Sequence, residues 1–115
     1  QFLPEMWETY TSLTADAFAH LIVENQRFRL PAGLDRVTAP TLVVGGAKEY
    51  GVIRQSIKDV AAAVPGAKGY LVHHTQRLSL AEEHNWNLSA PELFTCTVQA
   101  WLEGQPLPEE IKPLE

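Results

Sequence analysis

The stretch Pro40-Thr41-Leu42-Val43-Val44-Gly45-Gly46-Ala47-Lys48-Glu49 constrains the fold more than any other part of this 115-residue chain. Thr41 to Val44 is an uninterrupted apolar and β-branched run behind a proline, a composition that reads as a strand. No charge interrupts it, so both of its faces are expected to lie under helices, as in a parallel sheet. Gly45 and Gly46 then let the backbone turn or approach a neighbour closely. Glu49 therefore arrives just beyond the C-terminal end of a strand, the edge at which open α/β sheets bind ligands.

The flanking sequence supplies the helices. Upstream, Phe2, Met6, Trp7 and Tyr10 recur at about one helical turn, which suits a short helix or an apolar cover. Phe18, Leu21, Ile22, Asn25 and Phe28 continue this spacing behind Thr14, a candidate N-cap. They predict a helix near 15–29 that Pro31 and Gly33 stop. Downstream, Ile53, Ile57, Val60, Ala61 and Val64 form one apolar stripe opposite Arg54, Gln55, Lys58 and Asp59, predicting a helix near 53–64. Gly69 to His73 reads as a second strand, so the order strand, helix, strand implies a parallel crossover. Thr75 to Asn87 has no clean period and reads as a loop. Ser89-Ala90-Pro91-Glu92 reads as a capping box with proline in the first turn. It opens a third helix near 90–103, with Phe94, Val98, Trp101 and Leu102 on the buried face and Gly104 behind it. The tail 105–115, with Pro106, Pro108 and Pro113, is expected to be extended or frayed.

The expected fold class is α/β, with two parallel strands at about 41–45 and 69–73 flanked by about three helices. Two strands alone leave unpaired N–H and C=O groups along both outer edges. The sheet is therefore expected to continue into a partner segment or a second copy of the chain.

Charge and cysteine content narrow the function classes. Nine basic against fourteen acidic residues give a formal charge of -5, and no Lys/Arg cluster marks a phosphate-binding face. Nucleic acid is not expected as a partner. A single cysteine, Cys96, excludes an internal disulfide framework and favours a reducing compartment, the cytoplasm. No apolar run approaches bilayer-spanning length and no secretory signal is present, so no membrane partner is expected. The opening Gln1-Phe2-Leu3-Pro4 reads as the continuation of a longer polypeptide.

His84 is the residue best placed to meet Glu49. It lies in Ala81-Glu82-Glu83-His84-Asn85-Trp86-Asn87, after the second strand and before a helix, at the same sheet edge. A carboxylate that orients a histidine base needs proximity in space, not in sequence. The alternative is an ordinary surface histidine beside two glutamates; Glu82 and Glu83 rival Glu49 as partners, but loop neighbours are poorly placed to fix a ring. His73 and His74 are adjacent, so in a strand they face opposite sides, and a solvent-facing pair is the simpler reading. A metal site would need His73, His74, His84, Glu82 and Cys96 to converge, and none shows zinc-site spacing. Cys96 reads as a small, partly buried side chain. Trp86 either lines a pocket or packs against the sheet. Neither GxGxxG nor GxxxxGK[ST] is present, so no phosphate or dinucleotide cofactor is implied.

Taken in order, these segments resemble the C-terminal part of the α/β-hydrolase superfamily. Pro40 to Glu49 is similar to the strand and loop that carry the triad acid, where members typically read Pro-x-Leu-x-Val-x-Gly-x-x-Asp. Ile57 to Ala67 resembles the following helix with its Pro-Gly-Ala ending, and Gly69 to His73 the last core strand. His84 then falls on the triad histidine, and Pro91 to Leu102 on the final helix. The resemblance implies that 1–34 ends a cap-like helical region, 35–104 is a core segment and 105–115 is an extended tail. It also implies Glu49 and His84 as the acid and base of a Ser/Glu/His triad acting on a small-molecule acyl ester or similar bond. Haloalkane or epoxide cleavage, which uses a carboxylate nucleophile on the same scaffold, remains open. The sequence departs from the pattern at Glu83, where members usually have glycine. No Gly-x-Ser-x-Gly elbow surrounds Ser12, Ser56, Ser79 or Ser89. The nucleophile is therefore expected on a missing N-terminal hydrolase segment, and this chain alone is expected to be inactive. The contrasting expectation is a non-catalytic module that binds a partner by strand addition at its open sheet edge.

Overall fold

A computed structural model describes residues 2–74 and 79–114 of the chain. The chain divides into two compact units, Gln1–Pro31 and Ala32–Glu115.

The first unit holds two helices, α1 (Phe2–Ser12) and α2 (Ala15–Arg27). The expected cap is in place: the Thr14 hydroxyl accepts the Ala17 N–H at 3.2 Å, which satisfies one of the free donors of the first turn. At the other end the Phe28 N–H reaches the carbonyls of Glu24 and Asn25. The apolar stripe of α2 forms, but no residue of this helix is buried. The packing expected of the Phe2 and Met6 side chains lies outside the described residues.

The second unit is a small α/β domain with a three-stranded mixed sheet flanked by helices. Its strands are β1 (Leu42–Gly46), β2 (Lys68–Val72) and β3 (Ile111–Pro113), in the order β1-β2-β3. β1 and β2 run parallel, with Leu42 opposite Lys68 and Gly46 opposite Val72. Between them runs α3 (Gly51–Ala63); after β2 come α4 (Leu80–His84), α5 (Trp86–Ser89) and α6 (Pro91–Leu102).

Strand alternation sorts the helices onto the two faces. Gly45 faces α3 so closely that a Cβ there would collide with Ile57, and Gly69 lies under Ala61. On the opposite face Gly46 lies under Glu83 of α4, while Val72 is fully buried with Trp86 and Ile111. Phe94 meets Trp86 edge-on, with ring centroids 5.0 Å apart.

Four expectations are corrected. The tail is not simply extended or frayed, because Ile111–Pro113 pairs antiparallel to β2, with Ile111 opposite Val72. Flanking bonds from the His73 N–H to the Glu110 carbonyl and from the Leu114 N–H to the Gly69 carbonyl lengthen that ladder. β3 buries Ile111 in the core, which is what holds the tail against the sheet. The segment 75–87 is not all loop either: beyond 75–78, which lie outside the described residues, it forms α4 and α5. Its capping box is Ser79 with Glu82, each side chain bonding the other's backbone N–H. The one expected at Ser89 is absent. The Ser89 hydroxyl turns back to the carbonyls of Glu82 and Asn85, so Ala90 stands at the α6 N-cap without a side-chain bond and Pro91 fills the first turn. Finally, α6 buries Thr97, whereas Phe94, Val98 and Leu102 stay partly or largely exposed. With Leu42, Val44 and Trp86 they line an apolar groove. None of the described helices is long and apolar enough to cross a membrane.

Candidate active site

The acid loop begins where β1 ends, and three successive N–H groups fix it to three different segments. The Ala47 N–H donates to the Val72 carbonyl at the end of β2 (3.0 Å), and the Glu49 N–H closes a tight turn onto the Gly46 carbonyl (3.3 Å). Between them the Lys48 N–H donates to Oε2 of Glu83 on α4, at 2.8 Å. The next residue, Tyr50, opens α3. Glu49 is thus held rigidly between a strand and a helix.

α4 carries the other half. Its start is set by the Ser79–Glu82 box and its last residue is His84. His84 Nδ1 lies 2.6 Å from Oε1 of Glu49, 35 residues away in sequence. Against an ionised carboxylate, which can only accept, the donor is Nδ1–H, and in a neutral ring that tautomer leaves the lone pair on Nε2. The two partners differ in environment: the Glu49 side chain is 4% exposed, whereas the His84 ring is 52% exposed. The short distance fits a hydrogen bond assisted by the carboxylate charge. The arrangement can orient an imidazole, stabilise its protonated form and present Nε2 as a general base.

The two glutamates before His84 have other duties. Glu82 accepts from the Ser79 backbone N–H (2.7 Å) and the Ser79 hydroxyl (2.8 Å). These bonds, with help from the Lys48 charge and against slight desolvation, hold its carboxyl below the usual carboxylate range. Glu83 is buried, with a side chain 3% exposed, and its Oε1 lies 3.3 Å from the Lys48 ammonium. The sequence offers Glu83 as a rival partner of His84 and as a residue standing where glycine is usual, not as a partner of the acid-loop backbone. No sequence signal marks that role; in the structure Gly46 makes room for it, since a Cβ there would come within 3.1 Å of the Glu83 Cβ and carbonyl oxygen.

His73 is exposed beyond β2 and His74 is half-buried. Among the described residues no group of three or more His, Cys, Asp or Glu side chains could hold a metal ion. Cys96 is exposed, not partly buried as its neighbours in sequence suggested. Trp86 does both things considered for it, packing against Val72 and Ile111 and lining the apolar groove. All four serine hydroxyls bond to residues near them in the sequence: Ser12 to the Thr9 carbonyl, Ser56 to the Val52 carbonyl, Ser79 to the Glu82 carboxylate, and Ser89 to the Glu82 and Asn85 carbonyls. No protein-family model, curated protein or solved structure matches the chain.

Proposed function

We propose that this chain is the C-terminal portion of an α/β-hydrolase fold. It supplies the acid and the histidine of a site that hydrolyses a small-molecule ester or similar acyl bond. The observation that carries the reading is the contact between the buried Glu49 carboxylate and Nδ1 of the half-exposed His84 ring. In the reaction, Nε2 of His84 takes the proton of an attacking hydroxyl and later passes it to the departing alcohol. Glu49 holds the ring and offsets its transient positive charge. Water then repeats the sequence on the acyl intermediate and releases the acid. Since every serine hydroxyl of this chain is bonded elsewhere, the nucleophile and the oxyanion donors come from an N-terminal hydrolase segment. On this reading the two helices of the first unit end a cap-like region.

The chain alone is expected to hydrolyse a short-chain acyl ester no faster than background. The oxyanion donors it lacks are the largest single catalytic contribution, each worth on the order of 3 kcal/mol. Adding a segment that bears a nucleophile elbow restores activity, and His84→Ala in that complex removes most of it. Turnover by the isolated chain that vanishes with His84→Ala would show a complete site within the chain or a self-dimer. Equal activity of the wild-type and His84→Ala complexes would remove His84 from the reaction.

A second reading, a non-catalytic module that pairs through its sheet edge, draws support from β1. Among the described residues β1 has no neighbour on its outer side, and it carries none of the charges, prolines or bulges that usually protect an edge. The apolar groove beside it would cover one face of an added strand. Both readings extend the sheet past β1, by the hydrolase segment or by a second copy of the chain. Sedimentation of the isolated chain separates these: a well-folded monomer at high concentration removes the second copy.

A further inference from the structure

The geometry points to Glu83 as a positioning residue for the Glu49–His84 pair, acting through the backbone of Lys48. The inference rests on reading that pair as the acid–base half of a site. Two consecutive residues of the acid loop meet two consecutive residues of α4: Lys48 meets Glu83, and Glu49 meets His84. A single hydrogen bond leaves the two segments free to swivel about it. A second bond one residue along, about 3.8 Å away by backbone geometry, removes that freedom. The loop then presents the Glu49 carboxylate to Nδ1 in one orientation.

Several observations single out Glu83 for this work. Its carboxylate is buried, and both oxygens are engaged by one residue, Oε2 by the Lys48 N–H and Oε1 by the Lys48 ammonium. A buried carboxylate must find such partners within the protein. The bond from the N–H is directional, whereas the half-exposed ammonium is a point charge at the end of a four-carbon stem. The backbone bond is therefore the one that fixes the loop. α4 has only five residues, too few to hold its own orientation without ties to the sheet. The tie is possible because Gly46 leaves room for the Glu83 backbone directly against the strand.

The test is the His84 Nδ1 proton in the NMR spectrum of the full 115-residue chain, assigned by its loss in His84→Asn. In the wild type it should resonate far downfield and exchange slowly with solvent, and Glu49→Ala should abolish it. Glu83→Ala should speed its exchange about tenfold, the factor corresponding to one net hydrogen bond. Glu83→Gln keeps an acceptor for the Lys48 N–H while losing the charge, and should stay near wild type. Folded Glu83→Ala with unchanged exchange overturns the proposal. So does Glu83→Gln behaving like Glu83→Ala, because charge and not position would then matter. If Glu83→Ala fails to fold, Glu83→Met takes its place, filling similar space without an acceptor for the Lys48 N–H; faster exchange supports the proposal and unchanged exchange overturns it. A wild-type signal that is missing, or that survives Glu49→Ala, strikes the pair itself and the inference with it.

Discussion

Helices α2 and α3 are each 13 residues long and each carries an apolar stripe at helical spacing, yet only α3 buries any of it. α3 lies on a sheet whose glycines form a floor: Gly45 admits Ile57 and Gly69 admits Ala61. Ile57 is buried as a result. In α2, Phe18, Leu21 and Ile22 remain exposed, and with Tyr10 and Phe28 they line an open apolar cleft within the two-helix unit. A periodic stripe specifies a helix, and a complementary surface decides whether the stripe becomes core. The same contrast bears on function. The sheet unit also anchors the loop that carries Glu49, through the Val72 carbonyl and the Glu83 carboxylate, while the two-helix unit leaves its apolar surface open.

Substitutions can break this comparison. The largest effects belong to the sheet unit: Ile57→Ala and Ile111→Ala should each cost about 3 kcal/mol in denaturant unfolding, from lost burial and the cavity left behind. A small effect for Ile111→Ala would detach β3 from the core and return the tail to the extended state expected from sequence. Leu21→Ala in α2 should stay within about 0.5 kcal/mol, as exposed positions do. A cost comparable to that of Ile57→Ala would mean that the α2 stripe is buried after all.

The smallest effect concerns pH. Because the Glu82 carboxyl is held below its ordinary value of 4.5, it binds a proton less readily in the folded chain than in the unfolded one. Its contribution is fully present above 4.5 and is lost as pH falls through the lowered folded-state value. Amide protection across 80–84 should therefore decline in that acidic window, and Glu82→Gln should flatten the decline. A decline that persists unchanged in Glu82→Gln would assign it to another carboxylate.

Much of the domain is legible in the sequence because its signals are local. β1, α3, β2 and α6 each lie between prolines, glycines or capping residues, and each falls close to its expected span. What escapes is what depends on distant partners. Ile-Lys-Pro at 111–113 has no period of its own and becomes a strand only because Val72 and Leu71 offer it a ladder. The Ser79–Glu82 box was written in the sequence, but the short α4 behind it has no apolar period to draw attention to it. The juxtaposition of Glu49 and His84 could be placed at one sheet edge from the order of elements. The bond between Glu83 and the Lys48 backbone could not, because backbone donors leave no mark in a sequence.

The tautomer of His84 tests the central claim most directly. Nitrogen-15 shifts of its ring, measured at a pH where the imidazole is neutral, report which nitrogen carries the proton. An acid–base pair built on Glu49 predicts a fixed Nδ1–H tautomer with an unprotonated Nε2, lost in Glu49→Ala. A dominant Nε2–H form, or equal averaging of both in the wild type, would mean that Glu49 does not hold the ring and would contradict the proposed site.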